Sequence, residues 1–216
     1  MHPHSLTRRH AAFSLVELLT VIAIAAILMG AAIPVISSIN KGTDISTASR
    51  LLCNTMTVAR SQAINRQTLT RFAVVKNWTG RPEANFRNFA IFQAEVTTGT
   101  NLVWKQVSNW ETLPANTVID QTTPDYVKEN DPNGYAASGS LNTFTVPGPT
   151  GNIELYYIEY LPTGASRLPD ATVPDVWLTI RAGSSLNPTA VTTPSPANWS
   201  TVATSTLTGR LSVLRP

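Results

Sequence analysis

Residues 13–36 read FSLVELLTVIAIAAILMGAAIPVI, and the nature of the whole chain turns on this run. It is apolar apart from Ser14, Glu17, Thr20 and the helix-bending Pro34. As a helix at about 1.5 Å per residue it is roughly 36 Å long, enough to cross a bilayer core of about 30 Å. The twelve residues before it, MHPHSLTRRHAA, are polar and basic. Arg8 and Arg9 predict an N-terminus inside and the remainder outside. Three readings fit: a secretory signal cut after Ala32, where Gly30 and Ala32 are small; a plain signal anchor; or a leader cut before the apolar run rather than after it. Glu17 separates them. A carboxylate inside a membrane helix costs about 2.5–3.5 kcal/mol and usually marks function. Neither of the first two readings requires it.

A short basic leader, a small residue and then FSLVELLTVIAIAAILMGAAIP resembles the prepilin cleavage and methylation motif of type IV pilins and pseudopilins. The resemblance implies that prepilin peptidase cuts between Ala12 and Phe13 and methylates the new amine of Phe13. The family usually has Gly where this chain has Ala12, which is also small. Glu17 matches the family's glutamate, four residues beyond the new terminus, and Pro34 matches the proline that bends its helix. In such a filament the Phe13 amine of one subunit pairs with Glu17 of a neighbour in a low-dielectric core, where an unpaired charge is costly. That pairing sets axial register. The implied partners are other pilin or pseudopilin subunits, the prepilin peptidase and an inner-membrane assembly platform. The implied localisation is the bacterial inner membrane, single-pass, with a periplasmic head, and then a pilus or pseudopilus.

Beyond the run, SSINKGTDISTASRLLCNTMTVARSQAINRQ reads as a second, amphipathic helix, with Asp44 or Ser46 capping its start after a break at Lys41-Gly42. Ile45, Ala48, Leu52, Thr55 or Met56, Ala59 and Ala63 recur at steps of three and four and form one apolar stripe. Arg50, Arg60 and Arg66 lie mostly off it. Cys53 is the lone cysteine, so no internal disulfide forms, and it reads as a buried thiol.

The rest reads as short strands between turn signals: 70–76, 88–96, 102–107, 117–120, 143–146, 153–161, 176–181 and 206–214. The plan is α+β: leader 1–12, transmembrane and filament-core helix 13–36, stem helix 37–67, and a β-rich head 68–216 of antiparallel strands on which the stem packs. Three short segments resemble GspH/FimT-type minor pseudopilins. Val58-Ala59-Arg60-Ser61-Gln62-Ala63-Ile64 is similar to their helix end, Tyr160-Leu161-Pro162-Thr163-Gly164 to a mid-domain turn, and Thr208-Gly209-Arg210 to their closing strand.

Charged residues are only 13% of the chain. They are polarised. Lys41 to Arg87 holds eight basic and two acidic residues, whereas Asn88 to Pro216 holds six basic and ten acidic. Without Arg8 and Arg9 the chain is close to neutral, which argues against a strong nucleic-acid grip. DNA binding is nonetheless the rival function. Some FimT-type pilins bind DNA through C-terminal arginines, and by that resemblance Arg210 and Arg215 would be the contacts. Ser212 stands where a further arginine is expected.

Enzymatic chemistry finds little material. His2, His4 and His10 all lie in the leader, so a mature chain has no histidine base or ligand. One cysteine excludes the usual structural zinc sets. There is no phosphate loop or nucleophile elbow. The reading is therefore a non-enzyme without a cofactor or a metal. One acidic loop (Asp120, Asp125, Glu129 and Asp131) has oxygen ligands that suit calcium, as in some pseudopilin heads by resemblance. Its spacing does not match an EF-hand, and a solvated loop is the simpler reading.

Overall fold

The computed structural model describes residues 15–96, 102–120, 142–167, 175–183 and 199–215. The chain divides into two units, Met1–Asn40 and Lys41–Pro216.

Helix α1 runs from Leu15 to Arg66 as one continuous helical stretch. The expected break at Lys41-Gly42 is absent, and Asp44 and Ser46 lie inside the helix instead of capping a second one. An interior Gly costs a helix about 1 kcal/mol and Pro about 3. These are small sums beside the burial of the stripe that follows. The helix ends where the backbone turns left-handed at Gln67 (φ 51°). Thr68 N–H donates to Ala63 O (3.2 Å) and Gln67 N–H to Ile64 O (3.4 Å). This is the paired capping pattern that closes helix C-termini. The Gln67 side-chain amide donates to Ile64 O as well (2.7 Å).

Among the described residues eleven strands follow: β1 Thr70–Trp78, β2 Asn88–Val96, β3 Leu102–Gln106, β4 Glu111–Thr112, β5 Thr117–Ile119, β6 Asn142–Gly148, β7 Gly151–Tyr160, β8 Ser166–Arg167, β9 Asp175–Ala182, β10 Trp199–Ser205 and β11 Leu211–Leu214. They build two sheets. The first has the order β3-β2-β1-β7-β6, with β4 added to β2 and β8 to β7; the second runs β11-β10-β9-β5. All observed pairings are antiparallel.

The main core lies between the helix and the inner faces of both sheets. Ala48, Leu52, Met56, Ala59 and Ala63 meet Phe72, Val74, Phe89, Ile91 and Ile158 of the first sheet and Val176, Leu178, Ile180 and Val202 of the second. The stripe read from the sequence is therefore the buried face. Its three alanines leave room for the phenylalanines opposite. Cys53 is only half-buried, at the flank of this face. A second cluster covers the other side of the first sheet: Ala73, Val75, Trp78, Ala90, Phe92 and Leu155, with Trp104, Trp110, Phe144 and Tyr157 packed against them. Strand β1 is thus buried on both faces, with Phe72 and Val74 toward the helix and Ala73 and Val75 away from it.

The expected strand 206–214 is corrected. Its first half is a turn, and the pairing partner of β11 is β10, which begins at Trp199 and was not anticipated. Gly209 takes φ +64°. Gly209 N–H donates to Ser205 O (2.7 Å) and Ser205 N–H to Arg210 O (2.9 Å), closing the hairpin.

Candidate functional site

The N-terminal helix is built for contact with something other than water. Every described side chain from Leu15 to Met29 is exposed. The large apolar ones are 57% (Leu18, Val21) to 77% (Leu15) exposed. A helix apolar on every side belongs inside lipid or among other helices. Glu17 is the only charged residue in this stretch, and it is exposed too. It sits in the first turn, where the helix dipole favours a negative charge. Thr20 Oγ1 donates to Glu17 O (2.9 Å), so the neighbouring hydroxyl is absorbed by the helix itself. Among the described residues no helix is long and apolar enough to cross a membrane. The expected span 13–36 starts at Phe13, and both Phe13 and Ala12 lie outside the described residues, as does the side chain of Pro34.

Arg210 and Arg215, the candidate DNA contacts, are both exposed and flank β11 at its two ends. Arg215 also lies near Cys53: burial pushes that thiol's pKa up and the Arg215 charge partly offsets the rise.

Of the acidic loop, Asp120 is the one member among the described residues. Asp120 is engaged by Arg181, whose Nε donates to its Oδ2 at 2.7 Å with both side chains largely buried. Asp125, Glu129 and Asp131 lie outside the described residues. Among the described residues no group of acidic, cysteine or histidine side chains could hold a metal ion.

Sequence reasoning missed a charged site on the outer face of the first sheet. The Arg71 guanidinium lies over the rings of Trp104 (3.6 Å) and Tyr157 (3.7 Å), with Phe144 at 4.9 Å. It pairs with Glu159 at 2.9 Å. Arg167 reaches the other oxygen of Glu159 at 3.7 Å. Burial pulls the Arg71 pKa down, opposed by Tyr157 and Glu159. Arg71 shares β1 with Thr70, Lys76 and Asn77, so nothing local marks it, and its partners come from β3, β6 and β7. Only the register of the sheet reveals them.

The three inner segments that resembled pseudopilins converge. Arg60 of the helix donates from Nε to Gly164 O (2.9 Å) and to Thr208 O (3.2 Å), so the helix end, the turn after β7 and the β10–β11 turn meet at one side chain.

Comparison with curated proteins and with solved structures returns no match. Residues 7–33 do match the Prokaryotic N-terminal methylation motif, so this α+β chain, a long N-terminal helix followed by antiparallel sheet, carries a type IV prepilin-like processing and methylation signal.

Proposed function

We propose that the protein is a structural minor pilin or pseudopilin subunit of the GspH/FimT type. It is cut between Ala12 and Phe13, methylated on Phe13, and assembled through its N-terminal helix into a type IV pilus or a type II secretion pseudopilus. The observation that carries this reading is the methylation motif coinciding with a helix whose apolar side chains face outward on all sides. Before assembly that helix rests in the inner membrane, with the head in the periplasm. After assembly, helices of neighbouring subunits replace lipid. Glu17 then pairs with the amine of an adjoining copy. Convergence of the three pseudopilin-like segments at Arg60 supports the subtype, because residues far apart in sequence serve one packing corner.

N-terminal sequencing of the mature protein tests the reading. A methylated Phe13 is the expected first residue; a chain beginning at Ile33 would be a secreted domain and would end the proposal. Ala12→Gly should be processed at least as well as the natural chain. A bulky side chain at Ala12 should block cleavage, and normal cleavage of such a variant would displace the scissile bond.

The second reading, a DNA-binding minor pilin of a competence system, is favoured by the exposure of Arg210 and Arg215. A gel-shift titration of the mature chain in detergent distinguishes the two. Duplex DNA retarded at micromolar protein in low salt, and lost in Arg210→Ala, would support DNA uptake. No shift would remove it.

A further inference from the structure

Arg60 sits on the flank of the buried stripe and is only partly buried. A single N–H of its guanidinium is shared between two carbonyls that belong to different sheets. Gly164 O lies in the turn between β7 and β8 of the first sheet, and Thr208 O lies in the turn between β10 and β11 of the second. Around this point each turn is shaped to let the other approach. Gly164 adopts φ +84°, and a Cβ there would stand 2.8 Å from Ile64 Cδ1. Gly209 adopts φ +64°, and a Cβ there would run into Gly164 O and come within 2.8 Å of Arg60 Nε. At Gly164 the end of the Ile64 side chain would have to shift, whereas at Gly209 a side chain would have to displace the backbone of the opposite turn. Two further bonds tie β8 to the end of β10 and the residue after it: Ser166 N–H donates to Thr206 O (3.1 Å) and Ser166 Oγ to Ser205 O (3.1 Å).

Ile64 of the helix also comes close to Gly164. Among the described residues, Arg60 is the helix side chain that hydrogen-bonds to both turns. The β10–β11 hairpin otherwise ends in an exposed tip, with Leu207 83% exposed. Leu211 and Cys53 are both partly buried against the same core cluster, and Cys53 lies near enough to Arg215, just past β11, for that charge to act on its thiol. We infer that Arg60 is a latch: its guanidinium holds the tip of the C-terminal hairpin closed on the helix, and withdrawing that N–H lets residues 206–214 open as a local unit while the first sheet, and β10 paired to β9, stay folded. The latch acts on the surface that carries Leu207, Arg210 and Arg215. It goes beyond the assembly role, which resides in the other unit of the chain.

The test is hydrogen exchange on the full chain in detergent, comparing the natural protein with Arg60→Lys and, separately, Gly209→Ala. Lysine keeps the charge but loses the planar N–H that serves both carbonyls. The Gly209 variant presses the turns apart with Arg60 intact. In both, amides of 161–166 and 206–214 should exchange about ten-fold faster or more, while those of β1 and β2 change less than about two-fold. The single thiol gives an independent readout, since alkylation of Cys53 should accelerate in parallel. If Gly209→Ala fails to fold, Arg60→Lys alone decides. Unchanged hairpin exchange in Arg60→Lys would overturn the latch. So would a general rise that includes β1 and β2, or failure of Arg60→Lys to fold, because the guanidinium would then support the whole fold and not one hairpin.

Discussion

Tyr160 ends β7 fully buried, with its hydroxyl 3.3 Å from Thr204 Oγ1 across the gap between the two sheets. Burial pushes its pKa up to about 12. An unfolded tyrosine ionises near pH 10. Between those values the unfolded chain loses a proton that the folded chain keeps, so stability falls as pH rises. The contribution is intact below about pH 10 and declines by up to about 1.4 kcal/mol per pH unit toward pH 12. Denaturant unfolding at pH 9 and pH 11 should show this loss, and Tyr160→Phe should reduce it; an equal loss in both proteins would place the titration elsewhere. Arg71 is the counterpart on the outer face. Removing one partner of a buried ion pair costs about 3–5 kcal/mol. Because Arg167 still reaches Glu159, Arg71→Ala should cost about 3 kcal/mol, near the low end of that range. Arg167→Ala, on a side chain 63% exposed, should cost under about 1 kcal/mol. Urea midpoints of the two variants check the contrast.

At the level of elements, the helix shows how a period becomes a core. Leu52 is wholly buried among residues of both sheets, whereas Arg50, two positions earlier, is exposed. Leu52→Ala should destabilise by about 2–5 kcal/mol, and Arg50→Ala by no more than about 0.5 kcal/mol. Comparable losses in thermal unfolding would mean that the stripe is not the packing face. That stripe was legible because a helix writes its contacts every three or four residues. Strands were legible where turn residues bracket them: 88–96 matches β2 end to end. The division into two sheets was not legible, since it depends on which distant strands pair. The run 206–214 misled because threonine-rich sequence has β propensity throughout, while Gly209 and its hydrogen bonds fold the first half into a turn. At the candidate site, Glu17 stood out as a charge in an apolar run. Arg60 and Arg71 did not, because an arginine's partners lie across the fold and leave no local pattern.

For the whole molecule, charge and greasiness are separated along the chain. Glu17→Ala should leave membrane insertion and head folding unchanged while lowering the amount of subunit recovered in sheared filaments several-fold. Incorporation at the natural level would dismiss the register role. The head meanwhile carries no histidine, so none of its side chains has an ordinary pKa between about 5 and 8. Its charge pattern therefore stays nearly constant across that range.

Ten large apolar side chains between Leu15 and Met29 stand open on the isolated chain. At about 1.5–3 kcal/mol apiece, leaving them wet costs on the order of 15–30 kcal/mol, so a lone copy drifting through water has a vanishing population. In the proposed assembly such a molecule would pass sideways from one oily surrounding directly into the next, and those two surroundings would have to touch.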